Sequence, residues 1–212
     1  MNEGNFGSAT GATHRYNLTV STKEIILASA SPRRRELLAA MGVRFEVVTA
    51  DVDELDEKSA PRMAPVDLAE ENARLKAEAV AALRPGRWVL GADTVVFLGE
   101  RLFGKPASLD QARQFLRALS GHTHEVITGC ALFDPEGREQ VFHEVSRVTV
   151  HALTDATIER YLAEVNVLDK AGAYALQEHG FWIIERVAGS HNNVIGLPTE
   201  LVESVFKSCG LL

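Results

Sequence analysis

Cysteine is nearly absent: Cys130 and Cys209 are the only two in 212 residues. They stand far apart and without metal-ligand spacing, which excludes a disulfide framework and a zinc site and fits a reducing cytoplasm. No apolar run approaches the ~20 residues that a bilayer-spanning helix needs. The N-terminus also lacks the basic, apolar and small-residue succession of a secretory signal, so no membrane partner and a cytoplasmic location are expected. Basic residues are in deficit, 22 Lys and Arg against 29 Asp and Glu, for a net charge of -7. Nucleic-acid binders gain affinity from a basic face, so no nucleic-acid partner is expected, although a local basic pocket stays open. Proline is sparse, and the 46% hydrophobic and 24% charged residues are spread throughout, which argues against disorder and fibrous repeats. Residues 1–24 are rich in Gly, Ser, Thr and Asn without a period and read as a flexible leader. Residues 25–212 read as one compact domain, long enough for one sizeable core or two small lobes.

Ile25 to Ala28 reads as a buried strand, followed by Ser31 as a cap, Pro32 at the first helical position and a helix through Met41 that Gly42 closes. Arg44 to Thr49 reads as a second strand leading into the acidic stretch Asp51-Val52-Asp53-Glu54. Val66, Ala69, Ala73, Ala77, Val80 and Ala81 recur at helical spacing, which predicts a long helix from Pro65 to Leu83, stopped by Pro85-Gly86. Trp88 to Phe97 is a buried strand, turned by Gly99-Glu100. Ser108 and Gln111 form a capping box for a helix that Gly121 ends. Two strands, Glu125 to Phe133 and Gln140 to Leu153, join through Asp134-Pro135-Glu136-Gly137. A helix from Thr154 through Leu162, a strand near Phe181 to Val187 and a last helix from Pro198 through Phe206 complete the chain. This order predicts an α/β fold with a mixed, partly antiparallel sheet and flanking helices.

Four features carry chemistry. Ser29-Ala30-Ser31-Pro32-Arg33-Arg34 puts two hydroxyls and two guanidinium groups beside a helix N-terminus, whose free N–H groups and partial positive charge suit a polyphosphate; a capped helix with a solvated arginine face has the same letters. Asp93 interrupts the apolar run Val89 to Val96, and a carboxylate in a buried strand is costly unless it meets a cation or donors, so it calls for a metal, a catalytic role or a neighbouring loop to cap. Asp51, Asp53 and Glu54 offer hard oxygen ligands for Mg2+ or Mn2+, or a solvated acidic loop. Lys76 lies on the long helix and Lys105 in the stiffened turn Gly104-Lys105-Pro106, where its ammonium can be aimed at a phosphate; any single lysine can equally be plain surface. His122, His124 and His143 read as exposed or hydrogen-bonded residues of a sheet edge rather than metal ligands. Ser190-His191 hints at a triad, but no Gly-x-Ser-x-Gly elbow surrounds any serine, which excludes that kind of serine hydrolase.

The segments Leu27 to Leu38, Gly91 to Val96 and Gly104-Lys105-Pro106 resemble motifs of the Maf family of nucleotide pyrophosphatases. So do Leu119 to His122, Thr128-Gly129, Asp169 to Tyr174, and Gly189-Ser190 with Val194 to Pro198. They occur in the family's order and cover residues 25–207. The resemblance implies an elongated Maf/ITPase-like fold, with two lobes around a deep cleft and often a homodimer, that cleaves nucleoside triphosphates between the α and β phosphates. It places phosphate binding on Ser29, Ser31, Arg33, Arg34, Lys76 and Lys105, a divalent metal on Glu54 and Asp93, and the proton acceptor on Asp93. The family's helix lysine aligns with Lys76 rather than with Asn72.

Three positions speak to substrate. Arg33, Thr94 and Gln177 resemble the family members that prefer dTTP and UTP, where those acting on 7-methyl-GTP typically carry Trp, Gln and Glu. A glutamine amide offers a donor and an acceptor to the imide edge of uracil or thymine, while a carboxylate suits the donor-rich edge of guanine. His191 departs from the family's Gly-Ser-Tyr segment by replacing the aromatic residue, which bears on base stacking and not on reaction class. Two competing readings are a 7-methyl-GTP pyrophosphatase and a non-catalytic nucleotide-binding regulator of septum formation. A binder of phosphates alone would avoid the carboxylate of Asp93 unless a cation intervened.

Overall fold

The computed structural model describes residues 24–56 and 58–212. Apart from Glu24, the expected leader therefore lies outside the described residues. The first strand, β1, spans Ile25–Leu27 with every side chain buried. Ser31 then caps helix α1 (Pro32–Ala40), its hydroxyl accepting from the Arg34 N–H, and Pro32 stands at the helix start. Strand β2 (Phe45–Val47) precedes helix α2 (Pro65–Leu83), whose bounds are those the apolar spacing predicts. Strand β3 (Trp88–Leu98) folds back on the two-residue β4 (Arg101–Leu102). Helix α3 (Leu109–Leu119) starts with the Ser108 hydroxyl accepting from Gln111 N, and the Gln111 side chain returns the bond to Ala107 N, so the expected capping box forms one residue wider.

Strands β5 (Thr123–Phe133) and β6 (Glu139–Val150) form the long hairpin, its turn held by Asp134 Oδ1 accepting from Glu136 N and Arg138 N. After α4 (Asp155–Glu164) come two 3-10 turns, Ala171–Ala173 and Gly180–Trp182. Strand β7 then starts only at Ile184 (Ile184–Ala188). It begins later than its apolar letters suggest because His179, in a left-handed conformation with φ 51°, leads into the second turn. Helix α5 (His191–Ile195), capped by Ser190, is too short for helical periodicity to reveal; α6 (Thr199–Ser208) ends the fold.

One seven-stranded sheet runs β2-β1-β3-β5-β6-β7, with β4 added to β3. The pairs β1–β2 and β1–β3 are parallel and all others antiparallel, so the sheet is mixed as expected. The chain leaves β1 in one direction through α1 to β2 and returns past it through α2 to β3. Consistent right-handed crossovers then require opposite faces. Accordingly Leu38 of α1 packs with Ile25, Leu27 and Leu90, joined by Val202 and Phe206 of α6, while Ala73 and Ala77 of α2 pack on Ile26 and Val89. A second lobe gathers α3, α4 and the far ends of β5 to β7 around Phe103, Phe115, Tyr161 and Ile183. Among the described residues no helix is long and apolar enough to cross a membrane.

Two glycines bring α2 close to the sheet. A Cβ on Gly91 would lie 2.3 Å from the Ala73 carbonyl oxygen, and one on Gly129 would lie 2.4 Å from the Ala69 carbonyl. Backbone cannot swing aside as a side chain does, so α2 would have to retreat. Gly129→Ala is therefore expected to lower Tm by roughly 4–10 °C, as read by calorimetry; an unchanged Tm would mean that α2 is free to shift.

Candidate active site

Strand β3 pairs with β1 only as far as Leu90 and with β4 only from Phe97. Its other edge is taken up by β5. The stretch between therefore faces open space on one edge, at the carboxyl ends of β1 and β2 and at the point where the crossovers diverge. Open α/β sheets bind ligands at such a point. A cleft of about 460 Å³ lies there, lined by the loop after β1, residues 49–52 and Glu54 after β2, the middle of β3, Lys105, and residues 169–171 and 174–177 from the other lobe.

Because successive residues of β3 point to opposite faces, Asp93 faces α2 and Thr94 faces α1. Lys76 of α2 donates to Asp93 Oδ1 at 2.6 Å and reaches Glu54 Oε2 at 3.0 Å, so one ammonium joins two carboxylates. Burial alone would raise the Glu54 carboxyl, but the charge and hydrogen bond of Lys76, with Lys105 and Arg34 behind them, hold it below the usual carboxylate range. Asn72, one turn before Lys76, brackets Leu55: its Oδ1 accepts from Leu55 N at 2.7 Å and its Nδ2 donates to Leu55 O at 3.0 Å. The same amide lies 3.5 Å from Asp93 Oδ2. The acidic loop is thereby pinned to α2 beside Asp93.

On the opposite face Arg34 is buried at 9% exposure. It donates to Gly196 O at 2.8 Å, Ser29 Oγ at 3.1 Å and Thr94 Oγ1 at 3.0 Å. Burial pulls its pKa below the ordinary value, opposed by the nearby charge of Asp93, yet an arginine stays protonated under such a shift. Thr94 and Thr128 hydroxyls meet at 2.9 Å, and Thr128 donates to Asn193 O at 3.0 Å. Arg33 spans the cleft and donates to Asp169 Oδ2 at 2.9 Å and to the Asp169 carbonyl at 3.2 Å.

The cleft brings together Ser31, Arg33, Arg34, Glu54, Lys76, Asp93, Thr94, Lys105 and Gln177 on its lining, together with Asp51. Ser29 stands directly behind, accepting from Arg34 and from Ser31 N. Asp53 is absent from the lining. His122 and His143 are exposed, but His124 is not an edge residue: β5 lies between β3 and β6, and His124 is buried with its Nε2 2.7 Å from the Tyr174 hydroxyl. Burial pushes its pKa down to about 4, so the ring is neutral near pH 7. Asp169 and Lys170 on the lining, and Asn72 behind it against Asp93, are residues that the letters alone do not single out for a role.

Among the described residues no three His, Cys, Asp or Glu side chains gather as a ready-made metal cage. Asp93 and Glu54 nonetheless fit a hard divalent ion in charge and ligand type, since Mg2+ is commonly held by one or two carboxylates with waters and substrate phosphates filling the remainder.

A family model described as Maf-like protein matches residues 24–209. A protein of Akkermansia muciniphila named dTTP/UTP pyrophosphatase is 46% identical over 88% of this chain and 96% of its own. One of Geobacter sulfurreducens with the same name is 46% identical over 85% of this chain and 94% of its own. The solved structure of the Staphylococcus aureus Ham1 protein shares the fold, with a TM-score of 0.50 at 18% identity, covering 88% of this chain and 99% of that one. With the family model spanning almost all the described residues, the chain belongs to the Maf family.

Proposed function

We propose that this protein hydrolyses nucleoside triphosphates, dTTP and UTP by preference, to the nucleoside monophosphate and pyrophosphate, with Mg2+ or Mn2+ as cofactor. The observation that carries the reading is one cleft in which the ammonium-linked carboxylates of Asp93 and Glu54 stand opposite the arginine-bearing start of α1. The family relatives named dTTP/UTP pyrophosphatase support the substrate. In this proposal Ser29, Ser31, Arg33, Arg34, Lys76 and Lys105 bind the phosphates, whose charge the arginines and lysines neutralise. Asp93 takes the proton of the attacking water. Its Oδ2 is the oxygen for that task, because Oδ1 is committed to Lys76 while Oδ2 has, among the described residues, only the Asn72 amide as a hydrogen-bond partner, at 3.5 Å. Glu54, ionised at neutral pH, and Asp93 would hold the divalent ion, which supplies Lewis-acid stabilisation of the phosphate charge. Arg33, Thr94 and Gln177 line the same cleft and set the base preference, Gln177 through an amide that both donates and accepts.

The test is pyrophosphate release from dTTP, UTP, CTP, GTP and 7-methyl-GTP with Mg2+, with Mn2+ and with a chelator. Cleavage of dTTP and UTP ahead of the others, abolished by the chelator, is expected. Preference for 7-methyl-GTP would overturn the substrate assignment, and binding without any release would replace the enzyme with a nucleotide-binding regulator.

A further inference from the structure

Lys170 lies outside the phosphate and metal machinery, yet it is the most enclosed lysine at the cleft, with its side chain 5% exposed. A buried ammonium is costly unless its donors are met and its charge is paired. Lys170 Nζ donates to the Asn166 carbonyl and to Asp169 Oδ1 at 2.9 Å, and it forms an ion pair with Glu178 Oε1 at 3.1 Å. Each carboxylate leads to a different wall. The other oxygen of Asp169 and its carbonyl take the two terminal nitrogens of Arg33, which comes from α1 in the opposite lobe. Glu178 directly follows Gln177, an exposed residue on the cleft lining. Arg33 is thus tied through Asp169, and the segment that carries Gln177 through its neighbour Glu178, to one buried charge.

Neither tie is replaceable locally. Arg33 is a long side chain with several rotamers, and its only hydrogen-bond partner among the described residues is Asp169. The Asp169 carboxyl, which burial would raise, is held below the usual range by its bonds from Lys170 and Arg33, so the bridge stays charged near pH 7. Gln177 lies in a segment without regular structure between Tyr174 and Gly180.

We propose that Lys170 is a positioning residue for base selection, holding Arg33 through Asp169 and the Gln177 segment through Glu178 at a fixed separation across the cleft. This rests on the reading of the chain as a dTTP/UTP pyrophosphatase. Misplacing a reading group by about an ångström costs up to roughly 10²-fold in the preferred reaction, and the poorly fitting purine loses less because it never used the fixed separation.

The experiment compares UTP with GTP in the unmodified protein, Lys170→Met and Glu178→Gln, with KM and kcat measured separately and UMP and GMP affinities by calorimetry. Lys170→Met keeps the stem length without the charge; its ratio of kcat/KM for UTP over GTP is expected to fall at least ~10-fold, mostly through a raised KM for UTP, with a parallel loss of UMP affinity. Glu178 is half exposed, so Glu178→Gln leaves the buried ammonium with Asp169 and is expected to give a smaller loss in the same direction. A merely structural role would lower kcat/KM for both nucleotides by one factor. If Lys170→Met does not fold, Glu178→Gln decides alone: unchanged selectivity there overturns the proposal, as does unchanged selectivity in a folded Lys170→Met. Failure of the unmodified protein to cleave UTP at all would instead overturn the functional reading, and the proposal with it.

Discussion

Asp93→Asn is expected to lower turnover by on the order of 10³-fold or more while the protein remains folded. The substitution preserves shape, and the amide oxygen can still accept from Lys76. Lys76 also keeps its second partner, Glu54, at 3.0 Å. What disappears is the negative charge: Oδ2, facing the Asn72 amide at 3.5 Å, becomes an amide group that neither accepts a proton nor binds a cation. Circular dichroism and Tm should stay near those of the unmodified protein, and steady-state kinetics should show the loss in kcat. Near-normal turnover in this variant would remove Asp93 from the chemistry.

Arg34→Met is expected to damage both stability and activity, and the contrast with Arg33 explains why. Arg34 fills a buried position and satisfies Gly196 O, Ser29 Oγ and Thr94 Oγ1. The two hydroxyls have other partners in Ser31 N and Thr128, but the Gly196 carbonyl would be left without its charged donor. An unsatisfied buried acceptor of that kind costs about 1–3 kcal/mol, and the lost packing adds to it, so Tm should fall by roughly 4–12 °C. The loop that carries Gly196 would loosen at the same time as a charge proposed to bind phosphate is lost, and kcat/KM should fall by more than ~10²-fold. Arg33→Met removes a charge that is partly exposed and paired across the cleft with Asp169. Pairs of that exposure contribute about 0–1 kcal/mol, so its Tm should barely move while substrate affinity drops. Thermal unfolding beside kinetics separates the two; equal Tm losses would contradict the different roles assigned to neighbouring arginines.

Much of this arrangement was legible in the letters because local rules and global fold agree. Pro65 and Pro85-Gly86 bracket α2, and its alanine stripe is what lets the helix press on Gly91 and Gly129. Asp93 stood out because a lone acid in an apolar strand needs a partner, and Lys76 is that partner. What was not legible depends on long-range contacts. The Asn72 bracket on Leu55 joins residues 17 positions apart, and the Arg33 to Asp169 bond joins residues 136 apart; no periodicity encodes either. His124 has the same letter as His122, two residues away, yet is enclosed because β5 is an interior strand facing the second lobe. Helix α5 is hidden for a different reason: five residues are too few to display a helical repeat, and Ser190, whose letters hint at a nucleophile, acts as a cap.

The cut is expected between the α and β phosphates, and the products of UTP hydrolysis show where it falls. Anion-exchange chromatography of a partial reaction with Mg2+ should show UMP and pyrophosphate in equal amounts, with no UDP and no orthophosphate. UDP with orthophosphate, or UTP unchanged at high enzyme concentration, would contradict it.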